Sequence, residues 1–250
     1  FEQPLGETID HYFTDDVVKG VVATDGLIGT FASLYCSTLM ANRCFLYHLI
    51  GNGTGEWKVP IGGMGAVTSA LAAAARRAGA TIVTSASATA LAADSDGATV
   101  VWHDGTTEFH TDARWALVNA APAILDALVG RPSPQELVPE GSQVKINMLV
   151  KRLPRLRSGM DPTAAFRGTL HVDEGLTHLQ DSYFRARVGQ IPSPPPSEIY
   201  CHTLTDPSIL SQDLAASGMH TMTLFALHMP TRLFTSDPEG SRQAALEAVT

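Results

Sequence analysis

The fold of this chain is decided by the stretch WKVPIGGMGAV, residues 57–67, where a glycine cluster leads directly into a helix-forming run. The small residues over 66–78 end on a pair of arginines and are followed by Gly79, which is typical of a helix C-terminus. The β-branched residues of 80–84 then predict a buried strand. The small side chains of this helix predict that it lies close to a sheet or to another helix.

Downstream of this helix, two Asp-Gly turn signals at 94–97 and 103–105 separate short β-prone runs. Such spacing predicts a three-stranded antiparallel meander over 89–110. A second buried apolar run follows at 115–119, and Pro122 then begins a helix. Helix, strand, meander, strand and helix in this order indicate an α/β layer with a β insertion.

The regions on either side of this layer predict a second structural part. Over 15–50, apolar residues recur at three- and four-residue spacings, which favours helices with a break at Asp25-Gly26. Beyond a proline-rich connector at 130–141, the pattern predicts strands at 144–150, 199–204 and 220–229 and a helix at 178–187. The predicted fold class is α/β (α+β), with the meander in the first part and a mixed sheet with helices in the second.

Composition narrows the function classes. The 250 residues are 44% hydrophobic and 17% charged, as in an ordinary globular protein. The net charge of −8 argues against nucleic acid as a partner, and no apolar run is long enough for a transmembrane segment. Three cysteines without a C-x-x-C pair encode neither a zinc site nor a disulfide framework, so we expect no metal and a reducing, cytoplasmic location.

The glycine cluster is the one candidate site that the residues alone indicate. Gly62, Gly63, Met64 and Gly65 at a helix N-terminus could bring backbone N–H groups close to an anionic cofactor. The spacing matches neither G-x-G-x-x-G nor the phosphate-binding loop of nucleotide hydrolases, and a simple tight turn is the alternative. The chain also starts at Phe1 and ends inside a predicted helix, so we expect a segment of a longer protein, with a naturally short chain as the alternative.

Several motifs together resemble one family. They are the stretch at 57–67 with its helix and strand as far as Ile82, then 15–29, 145–147 with 152–154, and 206–207 leading to 229–230. This combination resembles the phytoene desaturase-like FAD-dependent oxidoreductases, and within them most closely the pyridine nucleotide-disulfide oxidoreductase domain-containing protein 2 group. The resemblance implies an amine-oxidase-like fold, in which a substrate domain interrupts the FAD-binding domain. The family's dinucleotide motif is not in this sequence, which resembles the middle of such a protein.

The resemblance also implies cofactor-binding positions. Gly62, Gly63 and Met64 fall on the family's G-G-M segment, which lies close to FAD. Ala88 falls where the family usually has a valine whose backbone faces the adenine end of FAD, and Asn119 matches the end of a strand. No general acid or nucleophile carries over, so the catalytic residues are unknown.

The function that the resemblance implies is flavin-mediated hydride transfer or isomerisation of an apolar small-molecule substrate, isoprenoid or lipid-like. Residues 1–55 would form the helical part of the substrate domain, 56–130 part of the FAD-binding domain, and 131–250 the sheet-containing part of the substrate domain. The partners would be the missing parts of the same protein or another subunit, and this chain alone is expected to be inactive. The alternative is a non-catalytic binding or assembly module that lacks the nucleotide-binding half.

Overall fold

The structure, a computed structural model, describes residues 2–50, 58–132 and 140–249. Trp57 of the deciding stretch and part of the predicted connector, 133–139, lie outside the described residues. The chain divides into two compact units, the first formed by Phe1–Val67 and Glu140–Thr250 and the second by Thr68–Pro139. Each unit is described by itself. Within the described ranges, no helix has the length and apolar character needed to cross a membrane.

Helices of the first unit form around an apolar cluster. They are α1 (Leu5–Tyr12), α2 (Asp16–Thr24), α3 (Met40–Ile50) and α7 (Leu176–Arg187). The Asp15 side chain accepts hydrogen bonds from the first-turn N–H groups of α2, which fixes where this helix begins. The predicted break at Asp25-Gly26 is confirmed, because α2 ends at Thr24. The cluster buries Leu5, Ile9, Leu27, Leu34 and Leu179 almost completely.

The sheet of the first unit has four strands, namely β4 (Gln143–Val150), β5 (Leu170–Val172), β6 (Ser197–Tyr200) and β7 (His220–Leu227). Their order in the sheet is β4-β7-β6-β5. All three pairings are antiparallel, so the predicted mixed sheet is wrong for the described residues. The predicted strand at 199–204 is also shorter than expected, because residues His202–Leu204 form a 3₁₀ turn instead.

Further helices and turns complete the first unit. The helices are α6 (Pro162–Ala165), α8 (Gln212–Ala216) and α9 (Pro238–Val249), and further 3₁₀ turns cover Pro207–Ile209 and Thr231–Phe234. Helix α4 (Gly63–Arg77) starts in this unit and continues into the second. The helix predicted at 66–78 is confirmed. Its predicted close packing is wrong for the described residues, because α4 buries no residue and Leu71 is 67% exposed.

In the second unit, the predicted meander is confirmed. Strands β1 (Ser87–Ala93), β2 (Ala98–His103) and β3 (Glu108–Ala113) pair antiparallel in this order, and α5 (Pro122–Leu128) follows. Both turns are held by an aspartate side chain that accepts backbone N–H groups two and three residues ahead. At Asp104, these bonds, with the Thr107 N–H first among them, lower the pKa of the carboxyl to about 2.

Two predicted strands of the α/β layer are not formed. Residues 80–84 and 115–119 have no strand structure, and Val83, Trp115 and Leu117 are 53%, 79% and 99% exposed. A strand needs a neighbour that satisfies its backbone N–H and C=O groups, and the described residues offer these segments none. The prediction of buried strands is therefore wrong for this chain, whose architecture is α+β with antiparallel sheets.

Candidate functional site

The predicted glycine site is a tight turn at the start of α4. Gly62 and Gly63 have φ angles of 85° and 68°, in the left-handed region where only glycine is free of strain. The exposed side chains of Ile61 and Met64 flank these two glycines. The three predicted cofactor-binding residues Gly62, Gly63 and Met64 thus lie in one turn at the helix N-terminus, as the sequence indicates.

The donors of this turn already have an acceptor within the chain. The Gly62 N–H donates to Oδ2 of Asp206 at 2.6 Å, while Oδ1 of Asp206 accepts from the Ser208 hydroxyl at 2.6 Å. Asp206 is only 3% exposed. The Ser208 hydroxyl and then the Gly62 N–H hold the pKa of the Asp206 carboxyl below its usual value. The turn does not fit a phosphate group, because an internal carboxylate takes the place of the anion.

Sequence reasoning missed the role of Asp206. The only local signal is Asp206-Pro207, a pattern that begins a helical turn, and here it begins the 3₁₀ turn Pro207–Ile209. Nothing in the pattern links it to a glycine 144 positions away.

The other two predicted residues, Ala88 and Asn119, belong to the second unit. Ala88 lies on β1 opposite Trp102, next to an irregularity in the strand register. Asn119 lies in the exposed segment that forms no strand. Both residues are exposed, so their surfaces are open to a ligand.

A second site, which the sequence did not indicate, runs across one face of the four-stranded sheet. Lys145, Phe225, Glu198 and His171 are direct register partners on consecutive strands and therefore share one face. Glu198 is 2% exposed and accepts a hydrogen bond from the Tyr200 hydroxyl at 2.5 Å. Burial raises the pKa of Glu198, and the Tyr200 hydrogen bond opposes that rise. In this row, the buried and hydrogen-bonded carboxyl group of Glu198 lies next to Phe225, and Lys145 lies on the other side of Phe225.

Beside this row lies a cavity of about 590 Å³. Its lining includes Ile28, five residues of α3 and two of the sheet, namely Met40, Arg43, Cys44, Tyr47, His48, Gln143 and Phe225. Sequence reasoning had no signal for this cavity beyond the helical spacing of α3, because its walls come from four separate parts of the chain. Its volume lies within the range of sites that bind small molecules.

The fold and these sites define a class: an α+β protein with two antiparallel sheets, a glycine turn at a helix N-terminus and a cavity against the larger sheet. No family model and no solved structure matches the chain. It is 50% identical to an uncharacterized protein of Mycobacterium tuberculosis (strain H37Rv) over 99% of its own length and 46% of that relative's.

A more distant similarity carries a name. The chain is 28% and 29% identical to the pyridine nucleotide-disulfide oxidoreductase domain-containing protein 2 of rat and mouse, over 92% of its length and 41% of theirs. The chain thus spans less than half the length of the curated relatives it matches. The similarity supports a distant relationship to an oxidoreductase family.

Proposed function

We propose that this chain is the middle segment of an FAD-dependent oxidoreductase, phytoene desaturase-like, that acts on an apolar substrate of isoprenoid or lipid character. The observation that carries the proposal is the similarity to the rat and mouse oxidoreductase-domain proteins, which extends over 92% of the chain. A similarity confined to the glycine turn would reflect only a common helix start, whereas this one includes both structural units.

The exposed apolar surface of the second unit supports this proposal. Val83, Trp115 and Leu117 are each more than half exposed, on two extended segments that flank the meander along the chain. Large exposed apolar patches mark interaction surfaces for another polypeptide, a ligand or a membrane. In the proposed protein, strands from the rest of the same protein, or from another subunit, would pair with 80–84 and 115–119 and complete an amine-oxidase-like FAD-binding domain.

The bound flavin would supply the hydride chemistry, and the protein would supply position and electrostatics. The glycine turn does not fit the phosphates of FAD, since Asp206 accepts the Gly62 N–H. We therefore assign Gly62 and Gly63 to the shape of the turn, and propose Met64, Ala88 and Asn119 as exposed positions that contact the cofactor. In this proposal, residues 56–130 contribute to the FAD-binding domain and the remaining residues to the substrate domain.

The second candidate is a non-catalytic binding or assembly module. The observation that favours it is the hydrogen bond from Gly62 to Asp206, because it satisfies internally the donor group that a cofactor phosphate would use. In this case the 250-residue chain would be stable without flavin and would act through its cavity alone.

The visible absorption spectrum and intact mass of the protein purified from its natural host separate the two candidates. A flavin spectrum with a mass well above 26.6 kDa supports the oxidoreductase. A colourless protein of 26.6 kDa that takes up no added FAD overturns it and leaves the binding module.

A matched pair of variants sharpens this experiment. Leu117→Ser replaces a side chain that is 99% exposed in the second unit, and Val188→Ser replaces one that is 73% exposed in the first. The proposal expects Leu117→Ser to reduce the flavin content of the purified protein, while Val188→Ser leaves it unchanged. Equal flavin content in both variants would show that the surface around Leu117 does not meet the rest of an FAD-binding domain.

A further inference from the structure

The cavity beside the four-stranded sheet has walls of two kinds. Met40, Arg43 and Tyr47 recur at helical spacing and form one face of α3 toward the cavity, while Gln143 and Phe225 contribute from β4 and β7. All of these residues belong to the first unit. A helix face opposite a sheet face is a common setting for a small-molecule site.

Two exposed cations lie at this cavity. Arg43 lies on the wall, is exposed and forms no ion pair with any residue that the structure describes. Lys145, also exposed, lies with its Nζ 5.2 Å from the centre of the Phe225 ring, which is part of the same wall. Two accessible cations therefore lie on or next to this wall.

Two carboxyl groups, Glu198 and Asp25, lie near this cavity but do not line it. Glu198 is the register partner of Phe225 on β6, but it is 2% exposed and accepts the Tyr200 hydroxyl. Burial raises the pKa of Glu198, the Tyr200 hydrogen bond opposes that rise, and the nearby charge of Asp25 adds to it. The charged group on the wall itself is the Arg43 guanidinium, although the chain as a whole has a net charge of −8.

The rest of the wall is apolar. Ile28, Met40, Tyr47 and Phe225 offer aliphatic, thioether and aromatic surface, and Met side chains adapt to irregular ligands. A ligand that matches both kinds of wall has an apolar body and a single anionic group. Arginine suits a carboxylate in particular, because its planar guanidinium donates two parallel hydrogen bonds to the two carboxylate oxygens.

We propose that this cavity binds a small amphipathic carboxylate, with the carboxylate held by Arg43 and assisted by Lys145. The apolar body of the ligand lies against Met40, Tyr47 and Phe225. This proposal does not rest on the proposed flavin chemistry, because it uses none of the proposed cofactor contacts and is tested by binding alone.

Isothermal titration calorimetry on the 250-residue chain tests this inference, with decanoate, decanol and decylamine as probes. The expected order of affinity is decanoate first, then decanol, then decylamine. Arg43→Gln is expected to weaken decanoate binding by roughly ten- to a hundred-fold, the range for losing a charge-assisted hydrogen bond, and to leave decanol binding unchanged. Arg43→Lys, which keeps the charge but not the paired donors, is expected to fall between wild type and Arg43→Gln.

The control is Arg242→Gln, which removes another exposed arginine, on α9, that does not line the cavity. It keeps the wild-type affinity if the site is the one proposed. Equal affinity for decanoate and decanol, or equal losses in the Arg43→Gln and Arg242→Gln variants, would overturn the proposal. The first result would mean apolar adsorption without carboxylate recognition, and the second a general charge effect.

Discussion

The Asp206 carboxylate and the Gly62 N–H meet at 2.6 Å across 144 positions of sequence. This bond ties the turn that begins α4 to the 3₁₀ turn Pro207–Ile209 of the first unit. This bond also explains why glycine is present at both position 62 and position 63. Both adopt left-handed backbone angles, and a side chain at either position would strain the turn that presents the donor to Asp206.

Removing that acceptor should loosen the start of α4. In Asp206→Ala, we expect the Gly62 amide to exchange with solvent faster than in wild type, as measured by hydrogen exchange with NMR detection. The exposed Asp213→Ala variant on α8 serves as the control and should leave this amide unchanged. Because the folded-state pKa of Asp206 is lowered, its stabilising effect is present above the unfolded-state pKa and is lost as pH falls through the folded-state pKa. Unchanged exchange in Asp206→Ala would contradict the structural role given to this bond.

Two glycine-to-alanine substitutions should have opposite effects. A Cβ at Gly20 on α2 would lie 1.5 Å from the backbone oxygen of Glu174, so Gly20→Ala must push the chain before α7 away. We expect a loss of about 3 kcal/mol in the free energy of unfolding, measured by urea denaturation. At Gly65 on α4, a Cβ meets nothing within 4 Å, and Gly65→Ala should gain about 0.5–1 kcal/mol. Equal effects of the two substitutions would contradict the close approach at Gly20.

The sequence predicted correctly those elements that depend on interactions between residues close together in the chain. The Asp-Gly turns place the carboxylates that hold the meander, and the alternation over 144–150 marks the two faces of β4. The segments 80–84 and 115–119 have equally good strand composition, yet no strand forms where no neighbour offers hydrogen bonds. A strand forms only beside a neighbouring strand that satisfies its backbone hydrogen bonds, and the composition of one segment does not show whether such a neighbour exists.

The candidate sites show the same limit. The sequence predicts the glycine turn, because a helix start is local, but it does not predict the distant acceptor Asp206. The row from Lys145 to His171 combines four strands, one of them the three-residue β5, which is too short to have a periodic pattern. The sequence shows Arg43 only as a residue of a predicted helix, because its place in the cavity depends on sheet residues that are distant in the chain.

The contribution of the Tyr200 hydroxyl to the stability of the fold should depend on pH. Tyr200→Phe removes the hydroxyl that donates to the buried carboxyl, and we expect a loss of about 1–3 kcal/mol in the free energy of unfolding near neutral pH. The folded-state pKa of Glu198 is raised above the usual 4.5, so its ionisation destabilises the fold as pH rises above that value. Without the Tyr200 hydroxyl, the pKa of Glu198 rises further. The loss in the free energy of unfolding caused by Tyr200→Phe should therefore be smaller below pH 4.5 than near neutral pH.

Urea denaturation at both pH values measures this difference, and Tyr12→Phe, at a side chain that is 73% exposed, is the matched control. A cost of Tyr200→Phe that does not change with pH would mean that the hydroxyl acts by packing alone.

His228 should make the first unit sensitive to acid. Its ring lies 6.0 Å from that of Phe31 and 5.8 Å from that of Tyr183, and neither ring nitrogen has a hydrogen-bond partner among the described residues. Burial, and then the nearby charge of His178, lower the pKa of His228 from 6.5 to about 3. The unfolded chain therefore binds a proton between these values that the folded chain excludes, and stability falls as pH drops below 6.5.

For this one group the loss is about 1.4 kcal/mol for each pH unit within that range, or about 2 kcal/mol by pH 5. The test compares urea denaturation of wild type, His228→Asn and His11→Asn as pH is lowered. Asparagine tolerates the left-handed φ of 56° at position 228, so His228→Asn keeps the backbone while removing the titrating ring. We expect a shallower fall of stability with acid in His228→Asn, whereas His11→Asn, at an exposed position of α1, should match the wild-type slope. Parallel slopes in all three proteins would mean that the His228 ring accepts its proton inside the folded protein.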